Sequence, residues 1–186
     1  MARALKQGAP FVFTFHHNRI EAYHAVGVAL LNSGLTCSAT LPCPAEMGGS
    51  IHIHGTRSSI VDTVFVCRLT GQTKRGLLFE NAHQLAEIVE EDLIRLRHAG
   101  MKPTIGDIRC ITFGHVTRMA IWRLRENWNL NVSTSERIAR FATEISSFAE
   151  VDSVIEEVGA SSPRRRFGLA EEARRFDLDF GDVVSF

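Results

Sequence analysis

The feature that most restricts the fold of this chain is the run Phe-Val-Phe-Thr-Phe at residues 11–15, in which only one residue is polar. Gly8 and Pro10 precede the run, and His16 and His17 follow it. A short apolar run between such boundaries is typical of a β-strand that is covered on both faces, as in parallel sheets. The run therefore predicts an α/β fold in which this strand has neighbours.

Three further elements follow in order. Apolar residues recur at helical spacing over residues 19–33, and Gly34 is a suitable C-terminal cap. Residues 35–41 alternate between apolar and small polar side chains, which predicts a second strand. Residues 58–67 predict a third strand. Because no helix separates the second and third strands, we expect them to be antiparallel. Residues 1–70 thus read as a βαββ unit.

The rest of the chain is predicted to be a helical region over residues 71–160 and a linker and tail over 161–186. One helix follows Asn81 and ends near Gly100, and a second begins at a cap formed by Thr104 or Asp107. A third begins at Ser133 or Thr134, and its periodicity predicts these inward positions: Ile138, Phe141, Ile145, Phe148 and Val151.

Composition restricts the function only weakly. Lys and Arg together number 21, as do Asp and Glu, so bulk charge provides no general attraction to nucleic acid. The four cysteines are scattered, and no run approaches the roughly 18 apolar residues of a membrane span. The N-terminus lacks the apolar segment of a signal peptide. We expect a cytoplasmic protein with free thiols and no membrane partner.

Several segments of the chain carry a resemblance to a known family. They are Phe-Thr-Phe-His-His at 13–17, Thr-Leu-Pro-Cys-Pro-Ala-Glu-Met at 40–47, the third strand at 58–68, and Ala-Gly-Met-Lys-Pro at 99–103 with Phe-Gly-His at 113–115. Together they resemble the C-terminal portion of the adenine-specific DNA methylases of bacteria and archaea, which are class I methyltransferases dependent on S-adenosyl-L-methionine (SAM). The resemblance implies that residues 1–70 are the C-terminal βαββ part of a Rossmann-like, seven-stranded methyltransferase sheet, which is parallel except for one late antiparallel strand.

The catalytic machinery of that family is missing from this chain. The family binds SAM with a Gly-rich loop after its first strand and holds adenine with an (Asp/Asn)-Pro-Pro-Tyr tetrapeptide, but none of the five prolines here is adjacent to another. Three strands with one helix also cannot cover a strand as apolar as 11–15 on both faces. The sequence thus identifies no catalytic residue. The resemblance implies an upstream portion or companion subunit that supplies SAM binding, with DNA as the substrate.

Two groups of residues are candidates for a site. Thr14, His16 and His17 lie at the carboxyl end of the first strand, where ligands gather in open α/β sheets, and the resemblance places them at the edge of the active site. The alternative is that one histidine caps the following helix and the other is solvated.

The second group lies in the Gly-rich loop before the third strand. By resemblance, Ser50, His52, His54 and Arg57 would face DNA or substrate, because they offer donors suited to phosphates and base edges. The alternative is that His52 and His54 alternate with isoleucines on a half-buried extended segment.

Weaker signals leave other functions open. Cys37, Cys43, His52 and His54 have spacing that is poor for zinc, so we expect no metal site. The run Arg-Arg-Arg at 164–166 is either a phosphate contact or a solvated linker. Trp122 and Trp128 favour packing over base stacking. The main alternative function is a non-catalytic module that binds protein or nucleic acid. A metal-dependent hydrolase built on the histidine pairs is the weaker alternative.

Overall fold

The fold is mixed α/β, as the sequence predicts. The computed structural model of the chain describes residues 4–45, 59–71, 79–148 and 151–160. Within these ranges three strands and five α-helices follow one another: β1 (Phe11–Phe15), α1 (Ile20–Asn32), β2 (Leu35–Pro44), β3 (Val61–Leu69), α2 (Ala82–His98), α3 (Ile105–Leu124), α4 (Thr134–Ser146) and α5 (Val151–Ala160).

The three strands form one sheet in the order β1-β3-β2. Strand β3 lies in the middle and is antiparallel to both neighbours, so β1 and β2 run in the same direction. Phe65 of β3 faces Phe13 of β1 on one side and Thr40 of β2 on the other. The antiparallel pairing predicted for the second and third strands is therefore confirmed. A β-bulge at Ser38 shifts the register between Cys37 and Ala39.

The two faces of the sheet are covered unequally. On the first face, Val61, Thr63, Phe65 and Cys67 of β3 are all buried. The second face carries a ladder of mostly apolar residues that are half-buried or exposed: Val12, Val66 and Ala39 in one row, and Thr14, Val64 and Leu41 in the next. Val12 is 52% exposed to solvent. Within the described residues, the strand predicted to be covered on both faces is covered on only one.

Helices α1 and α3 cover the first face. Tyr23 of α1 is fully buried, and its ring packs edge-on against Phe15 and Phe113. Helix α3 lies close to the sheet at Gly114, where an added Cβ would lie 2.6 Å from Cγ2 of Thr63. Helices α2, α4 and α5 in turn pack against α3, which is consequently buried on nearly all sides. This is why α3 lacks the single apolar stripe of a surface helix.

The strand boundaries differ from the sequence prediction in two places, whereas the helix caps are among the residues predicted. Strand β2 continues through Pro42 to Pro44, and the described part of β3 begins at Val61, three residues after the predicted start at 58. Thr104 is the N-cap of α3, and Asp107 completes its capping box three residues later. Ser133 plays the corresponding role for α4. Gly34, with φ of +69°, directly follows α1 as predicted.

The third predicted helix was wrong beyond Ser146, since α4 ends there and Val151 begins a separate helix, α5. Ile138 is 37% exposed, contrary to its predicted inward position. The physical reason is that α4 contacts α1 and α3 along a narrow seam through Phe141 and Ile145, which are its only buried residues. A single periodicity drawn through both helices cannot represent that seam.

Substituting Gly27 tests the packing of α1 against α4. A Cβ at this position would overlap the fully buried ring of Phe141, so we expect Gly27→Ala to lower the free energy of unfolding by about 2–3 kcal/mol. Gly159→Ala is a matched control because a Cβ there meets only the flexible ends of Ile105 and Ile108, at 3.3 and 3.8 Å. Urea unfolding measures both variants. Equal effects for the two glycines would contradict the close approach of α1 to Phe141. In the Gly27→Ala background, Phe141→Leu should restore part of the lost stability.

Candidate functional site

The candidate site lies where β1 ends and where β3 and α3 begin. Asp107, which is 0% exposed, joins the last two elements. Its Oδ1 accepts hydrogen bonds from Ser59 Oγ and from the Ile60 amide, each at 2.7 Å, and its Oδ2 accepts from the Thr104 amide at 2.6 Å. The first turn of α3 is thereby attached to the residues that lead into β3. This arrangement holds the backbone of Val61 and Asp62 beside the end of β1.

His16 binds to that backbone. Its Nδ1 donates a hydrogen bond to the Val61 carbonyl at 3.0 Å and lies 3.6 Å from Oδ1 of Asp62. A carbonyl can only accept, so Nδ1 carries the proton, and in the neutral imidazole Nε2 is then an acceptor. Nε2 makes no hydrogen bond with any residue that the structure describes. In its neutral form, His16 therefore presents an oriented acceptor at the carboxyl end of β1.

A buried polar cluster lies beneath His16. Cys110 Sγ is 4.0 Å from His16 Nδ1, and it is hydrogen bonded to the Tyr23 hydroxyl at 3.2 Å. Thr63 donates to the Cys110 carbonyl at 3.0 Å. Burial raises the pKa of the Cys110 thiol and outweighs the lowering effect of its hydrogen bonds to Thr63 and Tyr23. Burial and the adjacent thiol also raise the pKa of Tyr23. Both groups stay protonated at neutral pH, so neither is an activated nucleophile.

Thr14 and His17 occupy different surroundings from His16. Thr14 is exposed on the second face of the sheet, where it pairs with Val64, whereas His16 contacts the Val61 carbonyl. His17 is also exposed, and its Nδ1 accepts a hydrogen bond from the amide of Arg19, the N-cap of α1, at 3.0 Å. Of the three residues expected at this edge, only His16 contacts the start of β3.

The loop candidates Ser50, His52, His54 and Arg57 lie outside the described residues, as does the basic run 164–166. Of the cysteines considered for zinc, Cys37 is buried in β2 and opposite Cys67 in the register. Within the described ranges, no group of three or more His, Cys, Asp or Glu side chains is placed to hold a metal ion.

Sequence reasoning missed a second polar cluster, in which His115 connects α2 to β2. Its Nε2 is 2.8 Å from Oδ2 of Asp92, and its Nδ1 is 3.0 Å from Oγ1 of Thr40. The sequence signal that could have revealed this cluster is that Asp92 and His115 occupy positions on the apolar faces of two predicted helices. The residue types match a nucleophile, base and acid triad, but Thr40 is only 5% exposed, which denies a substrate access to it. The cluster instead satisfies three buried polar side chains.

The two tryptophans pack within the protein. Trp122 is buried and its Nε1 donates to the Cys37 carbonyl at 2.7 Å, while Trp128 Nε1 donates to Asn32 Oδ1 at 3.0 Å. The preference for packing over base stacking is confirmed. None of the described helices has the length and apolarity needed to cross a membrane.

Comparisons with protein-family models, curated proteins and solved structures find no match to this chain. The turn from β1 to α1 also does not have the Gly-rich sequence of a SAM-binding loop, which the resemblance assigns to an upstream portion. The turn from β1 to α1 is His-His-Asn-Arg at residues 16–19 and has no glycine that would let a ligand approach the backbone. Within the described residues, this chain offers an edge for a site but no cofactor cradle.

Removing the Asp107 carboxylate tests how the site is held. Asp107→Ala leaves the amides of Ile60 and Thr104 without their acceptor, so we expect the free energy of unfolding to fall by about 3 kcal/mol. Asp152→Ala, at the exposed first turn of α5, is the control and should change stability by less than about 0.5 kcal/mol. The NMR signals of the His16 ring give a second measurement. The Val61 carbonyl that His16 binds should move only in Asp107→Ala, so the ring signals should change only in that variant. An unchanged ring signal in that variant would contradict the role given to Asp107.

Proposed function

We propose that this chain is a fragment or split subunit of a SAM-dependent DNA methyltransferase that acts on the exocyclic amine of adenine. An upstream portion or companion subunit supplies the SAM site and the (Asp/Asn)-Pro-Pro-Tyr clamp. This chain completes the sheet and forms one edge of the substrate pocket. By itself it transfers no methyl group.

The observation that carries the proposal is the position of β3. A strand, a helix and a parallel strand are followed by a third strand that runs antiparallel. The end of a Rossmann-like class I methyltransferase sheet has the same succession of elements. The sequence resemblance covers these strands, and the pairing directions of the strands support the same order independently.

The free edge of β1 supports a companion. Within the described residues β1 pairs only with β3, and its sequence has no charged residue or proline of the kind that protects exposed edges from pairing. The second face of the sheet, with Val12 and Val64, also lacks a described helix layer. Parallel α/β sheets are covered on both faces. A companion that adds strands to β1 and helices over this face would satisfy both requirements.

His16 is the residue through which this chain would contribute to the substrate pocket. The carboxyl ends of parallel strands are where ligands bind in open α/β sheets, and β1 would be an internal strand of the completed sheet. The Nε2 acceptor of His16 then lies at the edge of the pocket, where it can accept a hydrogen bond from a base or from a loop of the companion. Its role is to bind or orient, since no catalytic residue is assigned to this chain.

A non-catalytic binding module is the second candidate function. The exposed ladder around Val12 favours it, because an uncovered apolar sheet face suits contact with another protein. The two functions differ in what the partner carries. A methyltransferase companion must contain a Gly-rich strand-turn-helix and the tetrapeptide, whereas a partner of a binding module need contain neither.

Reconstitution tests the proposed function. The polypeptide that carries those two motifs and is encoded beside this chain is purified alone and together with it, and transfer of a labelled methyl group from SAM to adenine in duplex DNA is measured. We expect transfer only by the two together, and no heat of SAM binding to this chain alone. Transfer by the companion alone at the same rate, or tight SAM binding to this chain, would show the proposal to be wrong.

A charge on the second face should prevent association. Val12→Lys places an ammonium group where the companion would cover the sheet, so we expect methyl transfer by the reconstituted pair to fall at least about tenfold. Leu130→Lys is the matched control because Leu130 is 56% exposed and lies in the loop before α4. Both variants should unfold at the wild-type temperature when isolated. If Leu130→Lys is as damaging as Val12→Lys, the effect does not come from this face.

A further inference from the structure

We infer that the turn between α2 and α3 is the surface through which this chain contacts the phosphate backbone of DNA. The surface consists of Arg97, Lys102 and Arg109, with His98 beside them, and is called the basic turn below. The inference rests on the proposed function insofar as DNA is the substrate. Beyond that function, the inference identifies the part of the chain that contacts DNA.

The charges of the basic turn are available to a ligand. Arg97, Lys102 and Arg109 are all exposed, and none has an ion pair or side-chain hydrogen bond with a residue that the structure describes. Arg95, two residues before Arg97, differs because it pairs with Glu91 and Asp92. An exposed cation without a partner keeps its charge for an incoming anion.

Few acidic groups oppose these charges. Between residues 93 and 109 the only carboxylate is Asp107, which is buried and accepts hydrogen bonds within the protein. The adjoining helix α5 contributes Glu156 and Glu157, and its Gly159 packs near Ile105. The basic turn thus carries three permanent cations, and the exposed or half-buried carboxylates described near it are Glu156 and Glu157 of α5 and Asp62 beside His16, so the turn itself is a local basic patch in a chain that is neutral as a whole.

The basic turn lies at the same end of the molecule as His16. Helix α2 ends in a tight turn in which Gly100 has φ of +82° and its amide donates to the Arg97 carbonyl at 2.9 Å. Helix α3 then starts at the residues that Asp107 ties to the start of β3, and Cys110 in its second turn lies beside His16. DNA held by its phosphates at this turn would pass over the carboxyl end of β1.

The chemistry of the surface favours a nucleic acid over a membrane. Segments that bind membrane surfaces combine basic residues with a row of exposed Trp, Phe or Leu side chains. Between residues 97 and 109, which are all described, Ile105 is the one large apolar side chain that is exposed. Arginine and lysine without such a row are the residues that neutralise phosphates along a duplex.

Salt-dependent binding of the full chain to a short labelled duplex tests the inference. The variant Arg97→Gln/Lys102→Gln/Arg109→Gln is compared with wild type and with Lys6→Gln/Arg140→Gln, which removes two charges from exposed sites elsewhere that have no ion pair with a described residue. Fluorescence anisotropy is recorded between about 50 and about 200 mM salt. We expect the basic-turn variant to bind at least about tenfold more weakly at low salt and to have a slope of log K against log salt that is shallower by about 2–3. The control should keep the wild-type slope.

Three results would overturn the inference: no binding of the wild-type chain to duplex at low salt, equal losses in both variants, or tighter binding to phosphatidylserine vesicles that the basic-turn variant abolishes. Because the measurement uses this chain alone and involves no methyl transfer, it is independent of reconstitution. A chain that binds DNA through the basic turn but never supports transfer would sink the proposed function and leave this inference standing.

Discussion

The pairing of β3 with both of the other strands is the constraint on which the rest of the structure depends. It sets β1 and β2 parallel, so that their carboxyl ends lie at one edge of the sheet. It also points Thr63 and Phe65 towards α1 and α3, and it brings the Val61 carbonyl within reach of His16. A change in the register of β3 by one residue would exchange its buried and exposed faces and remove all of these contacts together.

The unequal covering of the sheet follows from the order of the elements along the chain. Each described helix after β3 stacks directly or indirectly on α3, so the described helices add depth on the first face of the sheet. Burying α3 also buries the polar side chain of His115, whose two ring nitrogens lie within hydrogen-bond distance of Asp92 and Thr40. Among the residues that the structure describes, no equivalent layer covers the apolar ladder of the second face, and that asymmetry is the physical argument for a companion.

Local patterns predicted the elements well and their assembly less well. The strand at 11–15, the helix that ends before Gly34 and the caps of α3 and α4 depend on neighbouring residues, so the sequence contains the information. The insertion of β3 between β1 and β2 is a long-range choice that no local pattern specifies. The break between α4 and α5 was missed for a related reason, since apolar spacing continues from one helix to the next. The contact of His16 with Val61 spans 45 residues, and only its position at a strand end could be predicted.

Amide hydrogen exchange of β1 tests most directly whether the sheet continues into a companion. In the chain alone, alternate amides of Phe11–Phe15 bond to β3 and should be protected, while those that face the free edge should exchange fast. With the companion present, the account predicts protection of the outward amides as well, because β1 becomes an internal strand. Outward amides that stay unprotected in a catalytically active complex would contradict it, since β1 would then remain an edge in the working enzyme.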